Sequence, residues 1–378
     1  MSSINYLTQI HIEHGALRHL KTECARLEID NPLFISDQGV KAAGLLQRAI
    51  DAYDGAQYSI FDQTPSNPTE SAVLIAREIY LKNNCDGLIA IGGGSSIDCA
   101  KAVAILATHP ENLVTYATIE GGSSKITSAA APLIAIPTTS GTGSEVARGA
   151  IVILNDGRKV GFHSWSLMPK VAICDPELTL SLPPLLTAAT GMDAIAHCME
   201  TFMAAPFNPP ADGIALDGLA RAWEYIELAT QDGSNKEARL QMMSASMQGA
   251  MAFQKGLGCV HSLSHSLGGI NPKLHHGTLN AMFLPAVVDF NSEAQSVIYE
   301  KRLQRMANVM QLQSGSDISQ ALCDMNRRLG LPSGLKAMGV MEEQFSSIIH
   351  GAILDHCHLM NPRIASSHDY QELLLQSM

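Results

Sequence analysis

The chain has 378 residues, 46% of them apolar and 16% charged, a globular composition with enough length for two domains. A net charge of −11 without any basic stripe argues against nucleic acid as a partner. The eight cysteines form no C-x-x-C pair, and no apolar run reaches the roughly 18 residues that cross a bilayer. We therefore expect a cytoplasmic protein without a disulfide framework, a structural zinc site or a membrane partner.

Short apolar runs alternate with helix-like segments in the first half of the chain. The runs are bounded by Gly, Pro, Asn or Asp and cover residues 32–37, 58–61, 87–91 and 132–136. Helical segments between them include residues 70–82 and 97–108. This alternation predicts a doubly wound α/β fold with buried parallel strands. The sequence NDG at residues 155–157 separates two further β-rich runs and predicts a hairpin appended to the sheet.

The character of the sequence changes near residue 180. The sequence LPP at residues 182–184 opposes a strand and favours a helix start, because proline is tolerated in a first helical turn. From there to residue 378 the periodicity is helical, with many Ala, Met and Leu residues. We predict an α/β dinucleotide-binding domain over residues 1–180 and an all-helical metal- and substrate-binding domain over residues 181–378.

A glycine-rich turn, GGGSSID at residues 92–98, follows one predicted strand and opens a helix. Glycines allow close approach of a phosphate, and the helix N-terminus offers unpaired N–H groups to it. A plain glycine turn before a capped helix explains the pattern equally well. The turn is not the Rossmann fingerprint, since Ile97 stands where that motif has its last glycine.

Two further features of the first half suggest a nucleotide site. Asp37 ends the first predicted strand, where a carboxylate can bind ribose hydroxyls and repel the 2′-phosphate of NADP, although such a residue is often a turn former. The polar turn PTTSGTGSE at residues 137–145 follows another strand, and Thr138 and Thr139 are candidates to bind a nicotinamide or its ribose. Together they favour NAD.

Carboxylate and imidazole side chains recur at helical spacing in the second half. Asp193 and His197 lie four residues apart, as do His261 and His265, and a Gly268-Gly269 loop then leads to two adjacent histidines at residues 275–276. A divalent cation suits such nitrogen and oxygen donors. Each pair alone is also consistent with an ion pair or with buried histidines that satisfy core hydrogen bonds. The apolar surroundings favour a metal, because burying unpaired polar groups is costly.

These motifs together resemble the iron-containing (group III) alcohol dehydrogenases over essentially the whole chain. The resemblance implies a dehydroquinate synthase-like nucleotide domain followed by an all-α domain. It also implies Fe²⁺ (with Zn²⁺ as an alternative) held by Asp193, His197, His261 and His276, the last chosen over His275 because Gly277 follows it. His265 matches a family histidine that lies near the nicotinamide and relays protons. The loop before His276 is one residue longer than usual, and Ser266 replaces the family's proline.

The same resemblance implies NAD as the hydride acceptor and a homodimer as the assembly. Carried over residue by residue, the cofactor-binding positions are Asp37, Asn67, Gly93, Gly94, Ser95, Asp98, Thr138, Thr139, Lys159 and Leu178.

Three stretches, residues 116–122, 161–165 and 355–358, resemble the bacterial branch of the family that acts on 4-hydroxybutyrate. The expected substrate is therefore a small primary alcohol that carries a carboxylate, and the product is succinate semialdehyde. Arg148 is a candidate partner for the carboxylate, with a surface ion pair as the alternative. Two other functions remain open at this point: a related NAD- and metal-dependent lyase of the dehydroquinate synthase type, and a non-catalytic NAD-binding protein.

Overall fold

A computed structural model describes residues 8–378 of the chain. The described residues group into two compact units. One contains residues up to 139 together with 143–181, and the other contains residues 140–142 and 182–378. None of the helices described combines the length and the apolar character that a bilayer-spanning segment needs.

The first unit is built on a six-stranded parallel sheet. The strands of the described residues are β1 (Gln9–Ile12), β2 (Pro32–Ile35), β3 (Ser59–Phe61), β4 (Gly87–Gly92), β5 (Leu133–Pro137), β6 (Gly149–Ile153), β7 (Lys159–His163) and β8 (Val171–Cys174). The sheet has the order β1-β8-β5-β4-β2-β3. Every residue of β2, β4, β5 and β8 is buried, which explains their continuous apolar sequences.

The parallel sheet confirms the predicted α/β class, and four of its strands coincide with the predicted runs. β1 and β8 lie outside those runs. β1 alternates polar and apolar residues over only four positions at the sheet edge, a pattern too short to identify a strand from sequence. It pairs in parallel with β8, from Gln9 opposite Val171 to Ile12 opposite Cys174.

Helices connect the strands of this unit. They are α1 (Leu20–Arg26), α2 (Gln38–Ala42), α3 (Leu45–Tyr53), α4 (Glu70–Lys82) and α5 (Gly94–Leu106). The chain runs outward from β2 to β3 and then returns to β4 on the other side of β2. In open α/β sheets the carboxyl ends of strands at such a reversal bind ligands. The segments that follow β2 and β4 are therefore the expected nucleotide contacts.

The predicted hairpin is present, but its attachment was wrong. β6 and β7 pair antiparallel from Gly149 opposite His163 to Ile153 opposite Lys159, and they form a separate two-stranded sheet. Alternate residues are buried on one face of the hairpin, where Val152 and Phe162 join the core cluster that also contains α4 and α5 residues. The hairpin thus packs on a helical layer, and within residues 8–378 a single β-bridge, from Thr69 to Ile153, links it to strand-like backbone outside the hairpin.

From residue 182 onward the described chain is helical, as predicted. The α-helices are α6 (Pro184–Met203), α7 (Pro209–Gln231), α8 (Lys236–Ala252), α9 (Cys259–Ile270), α10 (His276–Asn291), α11 (Gln295–Tyr299), α12 (Arg302–Val309), α13 (Ile318–Arg328), α14 (Phe345–Leu354) and α15 (Ser367–Gln376). Pro184 occupies the first turn of α6, in agreement with the LPP signal. The proposed Gly268-Gly269 loop was wrong, because both glycines lie inside α9 and the connection to α10 begins at Asn271.

Candidate active site

Helix α6 presents three acidic or basic side chains on one face. Asp193, His197 and Glu200 follow each other at intervals of four and three residues, so they stack along the same side of the helix. All three are buried, in a helix where every residue from Thr187 to Met203 is buried. Burial of this many polar groups is costly unless each has a partner. The partners come from α9, α10 and the backbone of Gly141.

Asp193, His197 and His261 offer ligand atoms that all lie within 4.8 Å of one another, and His276 approaches the same carboxylate of Asp193. The Oδ1 atom of Asp193 lies 3.8 Å from His197 Nε2, 3.8 Å from His261 Nε2 and 3.7 Å from His276 Nε2. These separations are too long for hydrogen bonds. Donor atoms about 2.1 Å from one tetrahedral ion stand about 3.4 Å apart, close to the observed spacing. The four side chains could therefore hold a single divalent ion.

The second ring nitrogens fix the orientation of two of the histidines. His197 Nδ1 lies 3.2 Å from the carbonyl oxygen of Gly141, which can only accept, so Nδ1 carries the proton. His261 Nδ1 hydrogen-bonds the buried carboxylate of Glu200. The Nε2 lone pairs are thereby directed at Asp193. Burial lowers the pKa of His261 well below its ordinary value, and the nearby His197 lowers it further, so the ring is kept neutral as a metal ligand requires.

Asn280 and Gly277 on α10 complete the immediate surroundings. Asn280 Nδ2 donates to Asp193 Oδ1 at 2.7 Å and lies 3.2 Å from both His261 Nε2 and His276 Nε2. Both imidazole nitrogens are thus acceptors. A Cβ atom at Gly277 would stand 2.2 Å from the carbonyl oxygen of Ala189, so glycine is required for α10 to start this close to α6. That approach brings His276, the first residue of α10, to Asp193.

His265 lies one helical turn beyond His261 and contacts the same group. Its ring centroid is 5.7 Å from that of His261 and 5.4 Å from that of His276, on which it stacks. Its Nδ1 donates to Asp355 Oδ2 at 3.0 Å, which leaves Nε2 as the second functional nitrogen. Burial alone would raise the pKa of Asp355, but the charge and hydrogen bond of His265, with the charge of His356, hold it well below the usual range.

The glycine turn and the polar turn are neighbours in the first unit, because β4 and β5 pair with Gly92 opposite Pro137. Thr138 N donates to the carbonyl oxygen of Gly92 at 3.0 Å, and a Cβ at Gly93 would contact the Thr139 side chain at 3.5 Å. Gly92 has a φ of +152°, a conformation that favours glycine. Gly93 is the N-cap of α5 and is followed by Gly94 and Ser95. The unpaired N–H groups of the first helical turn therefore lie at the glycine turn.

Asp37 lies beside the same turn. It caps α2 by accepting from Val40 N at 2.9 Å, and its other carboxylate oxygen accepts from Ser96 Oγ at 3.3 Å. The turn-former role considered from the sequence is therefore real. The Asp37 carboxylate lies at the carboxyl end of β2, next to the start of α5. Its binding of a ribose stays a prediction.

The remaining predicted cofactor residues have distinct surroundings. Lys159 Nζ donates to Asn67 Oδ1 at 3.0 Å, and burial lowers the lysine pKa. Asp98 accepts from Ser144 Oγ at 2.6 Å and from Ile151 N at 2.9 Å, contacts that tie α5 to the polar turn and β6. Leu178 is buried in the core cluster that contains Ile91 and Ile136. Direct cofactor contact by these residues stays a prediction.

Sequence reasoning missed several residues that position the site. Glu200 and Asn280 were detectable as polar residues that continue the helical spacing of Asp193–His197 and of His276. Lys101 is fully buried in α5, and its Nζ atom lies 2.7–2.9 Å from four oxygen atoms of Ser144, Ala147 and Gly149, so its three N–H groups fix the backbone that follows the polar turn. A lysine in the run IDCAKAVAI was the available signal.

Comparison with known proteins matches both halves of the chain to the same protein family. The family model described as "Iron-containing alcohol dehydrogenase" matches residues 8–176, and the model of the C-terminal part of the "Fe-containing alcohol dehydrogenase family" matches residues 187–378. The chain is 64% identical to a 4-hydroxybutyrate dehydrogenase of Cupriavidus necator, with 100% of both sequences covered. It is 32% identical to an NAD-dependent methanol dehydrogenase of Bacillus methanolicus, with 97% of each covered.

Solved structures agree with this relationship. A 1,3-propanediol oxidoreductase is similar with a TM-score of 0.94 at 29% identity over 100% of both chains. A sulfoacetaldehyde reductase of Bifidobacterium kashiwanohense in complex with NAD⁺ has a TM-score of 0.90 at 28% identity, over 100% of this chain and 98% of that one. The fold, the side chains gathered around Asp193 and the two family matches lead to one conclusion: this chain is a member of the iron-containing alcohol dehydrogenase family of oxidoreductases.

Proposed function

We propose that the protein oxidises 4-hydroxybutyrate to succinate semialdehyde with NAD, at a divalent metal held by Asp193, His197, His261 and His276. The observation that carries the proposal is the approach of three imidazole nitrogens, those of His197, His261 and His276, to within 3.8 Å of Asp193 Oδ1. The substrate is taken from the relative that shares 64% of its residues over the full length.

The ligand set fits iron in its divalent form, and zinc is the alternative. Three imidazole nitrogens and one carboxylate oxygen suit either ion. When bound, the metal supplies Lewis acidity that favours loss of the alcohol proton and stabilises the developing negative charge. Asp193 and the histidines hold the ion, while Glu200, the Gly141 carbonyl and Asn280 keep the ligand atoms aimed at it.

His265 is proposed as the catalytic residue that passes the alcohol proton toward solvent. Asp355 holds its ring through Nδ1, so the side chain keeps one orientation while Nε2 remains available. This arrangement suits a group that takes up and releases a proton.

NAD is the proposed hydride acceptor. The adjacency of the Gly93 N-cap, Thr139 and Asp37 supports a dinucleotide at the carboxyl ends of β2, β4 and β5. A relative named as NAD-dependent and a similar structure with NAD⁺ point in the same direction. The proposed contacts are Asp37, Asn67, Gly93, Gly94, Ser95, Asp98, Thr138, Thr139, Lys159 and Leu178.

The roles of the two domains, the oligomeric state and the cellular location are also proposals. Residues 1–180 carry NAD and residues 181–378 carry the metal. The family resemblance supports a homodimer. Eight free cysteines, seven of them buried and Cys323 exposed, are compatible with the reducing cytoplasm.

An NAD-reduction assay tests the proposed function. The purified enzyme, with and without added Fe²⁺, is offered 4-hydroxybutyrate, ethanol, butan-1-ol and 1,3-propanediol. We expect iron-dependent NADH formation and the highest kcat/KM with 4-hydroxybutyrate. Better turnover of the uncharged alcohols would reject the substrate, whereas metal and NAD binding without any net NADH would favour the lyase or the non-catalytic alternative.

Arg148 is the proposed partner of the substrate carboxylate. Its guanidinium stacks 4.7 Å above the ring of Trp165, burial lowers its pKa, and it forms no ion pair with a side chain of residues 8–378. We expect Arg148→Met to raise KM for 4-hydroxybutyrate about tenfold or more, since hydrogen bonds to charged groups contribute about 1.5–3 kcal/mol. The KM for butan-1-ol, which lacks the carboxylate, should change little. An equal rise in both KM values would contradict the assignment.

A further inference from the structure

A second cluster of metal-binding groups lies beside the first in the helical unit. His265, Asp355, His356 and Cys357 each offer one ligand atom, and these atoms all lie within 4.8 Å of one another. Asp355 Oδ2 is 3.0 Å from His265 Nδ1 and 3.6 Å from His356 Nδ1. Cys357 Sγ lies 3.5 Å from His356 Nε2. We call these four residues the thiol cluster.

The thiol cluster is distinct from the group around Asp193. The two share no ligand, although the His265 ring stacks on His276 on one side and on His356, at 5.8 Å and 19°, on the other. The chemistry also differs, because only the thiol cluster contains a sulfur ligand. Thiolate favours Zn²⁺ and other soft ions, whereas imidazole and carboxylate alone also suit Fe²⁺.

The thiol cluster is exposed at one side and buried at the other, so an ion can enter it from solvent. The His356 side chain is 49% exposed, while Cys357 is only 2% exposed. Burial and the charge of Asp355 raise the pKa of the Cys357 thiol well above its ordinary value. A soft divalent ion would supply the positive charge that a thiolate needs in this buried position.

We propose that His265, Asp355, His356 and Cys357 form a second metal site, which takes a thiophilic divalent cation of the Zn²⁺ class and inhibits the enzyme when filled. On binding, the Cys357 sulfur–hydrogen bond breaks and its proton passes to solvent, while the His265 proton leaves Nδ1 and Nε2 takes up a proton from solvent. The sulfur and His265 Nδ1 then bond the ion, with no change in oxidation state. The ion replaces the hydrogen bond between His265 Nδ1 and Asp355. The binding stands on the geometry alone, whereas the inhibition rests on the proposed role of His265.

The test uses the iron-loaded enzyme and either Zn²⁺ or Cd²⁺ alone. We expect one additional equivalent of zinc per chain with iron retained, and inhibition that saturates as this equivalent binds. Cd²⁺ should produce the ultraviolet absorption of a cadmium–thiolate bond. Zinc uptake that displaces iron, or no additional equivalent, would overturn the site. Uptake of one zinc per chain without inhibition would support the second metal site but contradict its effect on activity. It would therefore also contradict the proposed catalytic role of His265.

Matched variants assign the ligands. Neither His356 nor Cys357 has a part in the proposed reaction, so His356→Ala should keep the zinc-free rate but bind the additional zinc at least about tenfold more weakly. Cys357→Ser should abolish the cadmium–thiolate signal. Cys323→Ser and His368→Ala, which remove an exposed thiol and an exposed imidazole elsewhere, should leave both measurements unchanged. An unchanged signal in Cys357→Ser, or its loss in Cys323→Ser, would refute the assignment.

Discussion

Replacing His261 with alanine is expected to lower kcat/KM for alcohol oxidation about a thousandfold and to reduce the metal content of the purified protein. His261 Nε2 lies 3.8 Å from Asp193 Oδ1, so its loss removes one of the ligand atoms around that oxygen. A metal Lewis acid stabilises the transition state by several kcal/mol, and each 1.4 kcal/mol corresponds to a factor of ten in rate. Steady-state kinetics and elemental analysis measure the two effects.

His275→Ala is the control for this experiment. It removes a neighbouring imidazole that precedes α10 as the N-cap without a side-chain capping bond. His275→Ala should keep its metal, whereas His276→Ala should lose it. The opposite result would shift the ligand register by one residue, and full activity in His261→Ala would contradict the metal site itself.

Replacing Glu200 with glutamine is expected to weaken metal binding about 10- to 100-fold, the usual effect of removing a partner of a ligand histidine. The carboxylate accepts from Val260 N at 2.8 Å and from His261 Nδ1, both of which are donors. A glutamine offers only one acceptor atom, so its NH₂ group would meet one of these donors. Burial raises the pKa of Glu200 to about 8, and the backbone hydrogen bonds from Val260 and His261, with the charge of His197, oppose that rise.

The dissociation constant of the metal, measured against a competing chelator, reports this effect without depending on turnover. Asn361→Ala is the control, because it weakens support of the α9 N-terminus without removing a partner of the His261 ring. Asn361 Oδ1 accepts from Cys259 N at 3.1 Å, and the other side-chain hydrogen bonds of Asn361 go to Asn291 and Arg363. We expect Asn361→Ala to lower the melting temperature more than the metal affinity. Equal losses of affinity in the two variants would reduce Glu200 to a helix cap.

The buried strands and the helical second half could be predicted because each carries a pattern of its own. β4 and β5 are continuous apolar runs between turn residues, and α6 begins at a proline that only a first turn tolerates. The attachment of β6 and β7 could not be predicted, since alternation gives the buried face but not the layer that covers it. Gly268 and Gly269 suggested a loop, yet packing outweighed their low helix propensity.

The grouping of the proposed metal ligands could be predicted in part for a similar reason. The spacing of Asp193 and His197 places both on one helical face, which is local information. The pairing of Glu200 with His261 joins residues 61 apart, and that of His265 with Asp355 joins residues 90 apart. No local pattern specifies such partners, so the sequence pattern suggests candidate ligands but not the residues that orient them.

The contact between Gly277 and the Ala189 carbonyl has a consequence for how this protein tolerates changes in length. His276 is placed by that backbone approach and not by the connection from residue 271 to 275, so insertions there can bulge outward while the ligand stays in place. Inside α6 the opposite holds. One inserted residue between Asp193 and Glu200 would rotate everything beyond it by about 100° and separate the two side chains by helical phase.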